Sequence, residues 1–286
     1  MPRLWLAGGA VGDPRGLLRF GMPEQVLVPV GPVQTHGPGI GMDGGSGNGS
    51  ANGSHGVVHG TGPGGVEHGS APGVDVAGAA DRLRWCAARG RSAVLLLRGS
   101  SAGEMASLAG RVCSSLEGDA VGAVEVDLRG ADDQAGLKVM ARLRESTPRD
   151  LLLLARLSAL QPDLVAAARG AVAGGAGAVV VCGSLRLGPD RWWSGASTAA
   201  ACRAGLRTLT AAARDHRWPA VPLVGAGGVH DVASARAHLD CGASAVQVGT
   251  ALWADPTLLP SILAGLDEHP GQNLPAPDHR HTPTQE

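Results

Sequence analysis

The chain of 286 residues contains no tyrosine, a single phenylalanine (Phe20) and a single lysine (Lys138). With aromatics at 2%, a core has to be filled by small aliphatic side chains, and a hydrophobic fraction of 44% supplies enough of them. Basic and acidic residues number 24 and 25, for a net charge of −1. That balance lacks the positive excess of a nucleic-acid-binding surface and gives no reason to expect an anionic membrane as partner. Glycine, in contrast, is abundant at 45 residues. Together with arginine in almost every basic position, this bias marks a GC-rich coding sequence, so arginine in place of lysine carries little weight by itself.

Cysteine is scarce and patternless. Cys86, Cys113, Cys182, Cys202 and Cys241 are scattered, and no C-x-x-C occurs, which argues against a zinc ribbon or a disulfide framework. Long apolar runs are missing too: Ala93 to Leu97 and Leu151 to Ala155 fall far short of the roughly 18 residues of a spanning helix. The start, MPRLWLAGGAVG, is too glycine-rich and too brief for a signal-peptide core. These absences predict a reduced, cytoplasmic protein.

What is present falls into four stretches: a barrel start (1–35), a flexible insertion rich in glycine, serine and histidine (36–73), the remainder of the barrel (74–267) and a polar, proline-rich tail expected to be disordered (268–286). In the insertion 15 of 38 residues are glycine, too little apolar surface to offset ordering entropy. Its histidines, His36, His55, His59 and His68, are irregularly spaced and read as solvated loop residues rather than metal ligands. Elsewhere, short and nearly continuous apolar runs recur at Val26–Val30, Ala93–Leu97, Ala123–Leu128, Leu151–Leu157, Ala178–Cys182, Val221–Val224 and Ala245–Val248. Stretches of helical composition separate most of them: Ala102–Leu116, Ala135–Ser146, Pro162–Gly174, Ala196–Asp215 and Val232–Cys241, with Leu258–Leu266 after the last run. The alternation predicts an α/β fold with a parallel sheet, most naturally a (β/α)8 TIM barrel. Seven strands are countable. The expected place of the eighth falls inside the glycine-rich segment, so the strand-2 region reads as degenerate, and an open doubly wound sheet is the alternative.

Chemistry concentrates between Pro222 and Pro256. One strand ends in Gly225-Ala226-Gly227-Gly228, Asp231 caps the next helix, and the following strand runs into Gly249-Thr250. Two consecutive strands ending in glycine turns at one barrel edge make a phosphate cradle, because glycine lets backbone N–H groups approach an anion. Thr250 adds a hydroxyl. The alternative is that these glycines only make tight turns.

VPLVGAGGV and CGASAVQVGTALWADP resemble the C-terminal signature of the dihydroorotate dehydrogenases, in particular the soluble class 1 branch. Further upstream, Leu6-Ala-Gly-Gly9 resembles the family's early Ala-Ser-Gly turn, Ala71-Pro-Gly-Val-Asp75 its Asn-Pro-Gly-Val, and Trp193-Ser-Gly-Ala196 its Leu-Ser-Gly turn. The resemblance implies FMN as cofactor, with Gly227, Gly228, Gly249 and Thr250 at its phosphate, Gly8 and Gly195 at the flavin, and Arg156 in the position of a flavin-side lysine. It implies oxidation of dihydroorotate to orotate in pyrimidine synthesis, a homodimer, and a separate electron-transfer subunit carrying FAD and an iron–sulfur cluster.

The substrate end departs from the family. Its loop reads Asp127-Leu-Arg-Gly-Ala-Asp-Asp133, with Gly130 at the position of the catalytic cysteine and Asp127 and Asp132 at asparagine positions. Glycine cannot act as a base, and two carboxylates repel an anionic substrate unless they are paired with arginine. Asp133 is the weak candidate for a replacement base. For Arg156, the alternative role is an ion pair with one of these acids. Cys182 has no base adjacent in sequence and reads as an inert buried thiol. Cys113 and Cys202 read as core, and the Trp192-Trp193 pair either covers a flavin or packs as a half-buried pair. The competing functional readings are a catalytically silent homologue with a binding or assembly role, and a phosphate-binding barrel enzyme without flavin.

Overall fold

A computed structural model describes residues 3–7, 14–34, 58–62, 64–69, 73–99, 101–115, 118–188 and 191–268. In chain order the strands and α-helices are β1 (Leu4–Leu6), β2 (Val28–Val33), β3 (Val58–Gly62), β4 (Gly65–Gly69), α1 (Val76–Ala87), β5 (Ala93–Leu97), α2 (Ala102–Cys113), β6 (Val121–Asp127), α3 (Asp133–Ser146), β7 (Leu152–Ser158), α4 (Leu164–Ala173), β8 (Ala178–Cys182), β9 (Leu185–Arg186), β10 (Arg191–Ser194), α5 (Ala199–Arg214), β11 (Leu223–Ala226), α6 (Val232–Leu239), β12 (Ala245–Val248), α7 (Ala251–Ala254) and α8 (Leu258–Asp267).

Eight of these strands form one parallel sheet in the order β1-β12-β11-β8-β7-β6-β5-β2. A parallel bridge between Trp5 and Leu27, with Leu6 N–H donating to Leu27 O at 3.2 Å, brings its two edges together and makes it a TIM barrel. The strands are mostly apolar because both their faces are covered, as the near-continuous runs predict. Side-chain caps start the helices between them. Asp75, Ser101, Asp132, Asp163 and Asp231 each accept a hydrogen bond from a backbone N–H three residues on. Asp231 and Ser234 close a full capping box.

Two expectations are corrected. The eighth strand does not lie in the glycine-rich segment. It is β1, only three residues long, paired with β12 through Leu4↔Val246 and Leu6↔Val248. The glycine-rich segment is not loop throughout either. From Val58 to Gly69 it forms the hairpin β3–β4, which joins β9 and β10 in a four-stranded antiparallel sheet of order β3-β4-β10-β9. This second sheet is built from the loops after the second and sixth barrel strands, so it sits at the C-terminal end of the barrel, where active sites of this fold form. The expected disorder of the tail falls almost wholly outside the described residues. No described helix is long and apolar enough to cross a membrane.

Inside the barrel, side chains grade from apolar to polar toward that end. The lower part is filled by Trp5, Val94, Leu96, Ala123, Leu154, Ala178, Val180, Val224 and Ala245. In a chain so poor in aromatics, Trp5, with no exposed surface, is the largest of these side chains. Replacing Trp5 with alanine leaves a void that the strand backbones cannot collapse into, so Trp5→Ala is expected to lower stability by about 3–5 kcal/mol. Denaturant unfolding of the variant beside the parent protein measures this.

Candidate functional site

Above the apolar layer the inward positions turn polar. Alternation along β6 puts Ala123, Glu125 and Asp127 on one face, and the same rule puts Arg156 inward from β7, Cys182 from β8 and Gln247 from β12. Glu125, Arg156 and Gln247 are 3%, 8% and 1% exposed. They close a ring of hydrogen bonds. Arg156 Nε donates to Glu125 Oε1 at 2.5 Å, Arg156 Nη2 donates to Gln247 Oε1 at 2.6 Å, and Gln247 Nε2 donates to Glu125 Oε2 at 2.7 Å. β6 and β12 stand on opposite sides of the barrel, so the ring spans its interior. The remaining arm of Arg156 faces Cys182, with Nη1 3.5 Å from Sγ. Burial works against the charge on Arg156, yet Glu125, Cys182 and Asp127 more than offset it and hold its pKa above the usual value.

A second guanidinium approaches the same sulfur. Arg129 forms an ion pair with Asp127, lies flat over the Trp192 ring at 3.6 Å, and places Nη1 3.9 Å from Cys182 Sγ. Burial disfavours a Cys182 thiolate. Arg156, Arg129 and hydrogen bonds from the Ser184 backbone and hydroxyl outweigh that cost and hold the thiol below its usual pKa. Elsewhere burial wins: Cys86 is pushed up to about 11, and Cys202 is also raised. Cys202 donates to Val181 O at 3.2 Å inside the core, as expected of it.

These groups open onto a cavity of about 690 Å³, within the range of small-molecule sites. Arg156, Gly195, Gly227, Gly228, Gly249 and Thr250 all line it. Gly227 and Gly228 have φ of +122° and +75°, conformations that favour glycine. A Cβ on Gly228 would also stand 2.6 Å from Ala199 N, so the turn is packed against the start of α5. Of the other anticipated positions, Gly8 lies outside the described residues. Gly130, with φ +90°, and Asp133, near Arg169 on the surface of α3, are not in the cavity wall. Asp132 is committed to capping α3, and Asp127 is paired with Arg129 rather than Arg156.

The family model for dihydroorotate dehydrogenase matches residues 194–269. Over 151 residues the chain is 30% identical to the catalytic subunit of dihydroorotate dehydrogenase B (NAD(+)) of Geotalea daltonii. Over these segments the chain is similar to the dihydroorotate dehydrogenase family. The alignment spans 50% of this chain and 49% of that relative, about half of each. The family segment begins at Ser194 and takes in both glycine turns, while Arg129, Glu125 and Cys182 precede it.

Several site residues escaped the sequence reading. Glu125 was legible only as one of two acids in period two with Asp127. Gln247 sat inside the motif but its side chain drew no notice. His68, taken for a solvated loop histidine, is 7% exposed and lines the cavity from β4. His36 and His55 lie outside the described residues, and His59 falls in β3.

The ring makes a prediction. Arg156→Met leaves the Glu125 charge buried without its cation and is expected to cost about 3–5 kcal/mol, whereas Arg156→Met combined with Glu125→Leu and Gln247→Leu, which replaces the whole ring, recovers most of the loss. Denaturant midpoints of the two variants give the comparison.

Proposed function

We propose that the protein is a flavin oxidoreductase that acts on dihydroorotate or a close anionic relative. The observation that carries this reading is the meeting of both glycine turns with Arg156 in one cavity at the C-terminal end of the barrel. The donor set suits FMN. Among the described residues, the N–H groups of Gly228, Val229 and Thr250 have no backbone partner, and with the Thr250 hydroxyl they would hold a phosphate. Gly195 and Arg156 would border the flavin. When bound, the flavin supplies an acceptor for a hydride.

The chain's own residues provide the rest. Arg98, Arg129, Arg156 and Arg186 line the cavity against two acids, Glu125 and Asp127, each already paired with an arginine. That pairing removes the repulsion that two bare carboxylates would exert on an anionic substrate. Trp192, held against Arg129, and β4 form part of the cavity wall. The family further suggests a cytoplasmic homodimer served by a separate electron-transfer subunit carrying FAD and an iron–sulfur cluster.

A second reading, a homologue without turnover, draws support from the loop after β6. Gly130 offers no base, and Asp127 and Asp132 are occupied by Arg129 and the α3 cap. The visible spectrum and turnover separate the two. The purified protein is expected to contain about one FMN per chain and to reduce an artificial acceptor with dihydroorotate. Bound FMN without turnover favours the silent homologue, and a colourless protein that FMN cannot reconstitute overturns the flavin reading.

A further inference from the structure

Three cavity-lining groups have no part in the reading above: His68 on β4, Ser194 on β10 and Ser184 between β8 and β9. The antiparallel pairing of β4 with β10 sets Trp192 opposite His68 and Ser194 opposite Val66. Alternation along the two strands therefore puts all four of these side chains on one face, and all four line the cavity. His68 and Ser194 are diagonal neighbours there, within reach of one another. His68 Nε2 lies 3.0 Å from Ser194 Oγ, and His68 Nδ1 lies 2.8 Å from Gly69 O. Ser184 Oγ lies 2.8 Å from Ser194 Oγ. His68 and Ser194 are 7% and 9% exposed, so their contact is largely shielded from bulk water.

Hydrogen-bond roles fix the tautomer of the ring. A carbonyl oxygen only accepts, so the contact with Gly69 O puts a hydrogen on His68 Nδ1. In the neutral ring Nε2 then holds only a lone pair, and Ser194 donates its hydrogen to it. Ser194 in turn accepts from Ser184. A hydroxyl has one hydrogen, so Ser184 in this arrangement leaves the Cys182 sulfur to Arg156 and Arg129. Ser194 thus points its proton at a base that a third group holds in place, which is the arrangement that activates a serine as nucleophile.

We propose that Ser194 is a nucleophile with His68 as its base, and that the pair gives the protein a second activity, hydrolysis of small carboxylic esters. This does not rest on the oxidoreductase reading. In the first half of the reaction Ser194 Oγ bonds to the acyl carbon, its proton passes to His68 Nε2, and the carbonyl π pair moves onto oxygen. That pair returns, the ester C–O bond breaks, and the alcohol leaves with the proton from Nε2. Water then adds to the acyl carbon and gives a proton to Nε2. The bond to Ser194 Oγ breaks, the carboxylic acid departs, and Ser194 recovers its proton from Nε2. Nothing is oxidised or reduced, and water is the one co-reactant.

The surroundings select the substrate class. The group that holds His68 is a neutral carbonyl, which orients the ring but supports an imidazolium less than a carboxylate does. That favours esters, whose alcohol departs readily, over amides. Glu67, next to His68 in sequence, is turned to the opposite face of β4 and paired with Arg191. The Trp253 ring meets His68 edge-on at 5.4 Å. Val66 and Trp192, on the same face as Ser194, offer apolar surface to the acyl or alcohol part, and a cavity of about 690 Å³ suits a small molecule.

Two probes test this on the flavin-free full chain at about pH 8, above the ordinary histidine value of about 6.5. Release of p-nitrophenolate from p-nitrophenyl acetate follows turnover. A fluorophosphonate, which bonds covalently to activated serines, marks the nucleophile, and peptide mass mapping places the adduct. The expected result is one adduct per chain, on Ser194, with hydrolysis that falls about a hundredfold in both Ser194→Ala and His68→Gln. His68→Gln is also expected to lose the adduct although Ser194 is present. Circular dichroism establishes that the variants are folded, and Ser194→Ala with the mapped adduct carries the test if His68→Gln does not fold. An unlabelled Ser194, or a folded Ser194→Ala variant that hydrolyses the ester at the parent's rate, overturns the proposal. Flavin binding with an unlabelled Ser194 leaves the proposed function standing without the esterase, and a labelled Ser194 in a protein that cannot bind flavin does the reverse.

Discussion

A guanidinium fixed in the middle of the barrel organises this molecule. Arg156 is buried, and burying a cation in so small a space is tolerable only because Glu125 and Gln247 satisfy it in a closed ring. The ring ties the fourth barrel strand to the eighth across the interior and separates the apolar floor from the cavity above. Its charge is not fully consumed there. One arm faces Cys182, and the field at that sulfur, reinforced by Arg129, makes the thiol unlike Cys86 and Cys202. A neutral side chain of the same length would keep the packing and lose the chemistry.

The cavity has two halves with different histories in the sequence. One half is made of barrel strand ends and glycine turns and lies mostly within the segment that matches the dihydroorotate dehydrogenases. The other half comes from the antiparallel sheet that two loops build over the mouth, and from the Asp127–Arg129–Trp192 stack. The half that carries the glycine turns is thus the half that matches the family model, and the other half lies mostly before that match.

Much of the barrel was legible because buried parallel strands have a distinctive composition and helices announce their starts with Asp or Ser caps. The glycine turns were legible for the same local reason, since a backbone that must reach φ near +75° or +122° restricts the residue at Gly228 and Gly227. What escaped was non-local. β1 has too few residues to carry a pattern, and it becomes a strand only by pairing with β12. The β3–β4 hairpin reads as disorder by composition, and its order comes from β10, more than a hundred residues away. Glu125, Arg156 and Gln247 each look ordinary alone. Their meaning lies in contacts across separations of 31, 91 and 122 residues, which a single sequence does not display.

The pairing of Leu4 with Val246 also sets an order of events. β1 cannot pair with β12 until that strand exists, so closure of the ring waits on every barrel strand between them. During synthesis the earlier βα units are able to stack as an open sheet, but the gap between the first and last strands stays unsealed. The turn at Gly249 and Thr250 borders that gap. The cavity is therefore among the last parts of the molecule to be born, and a ribosome-bound chain that has not yet released β12 lacks one of its walls.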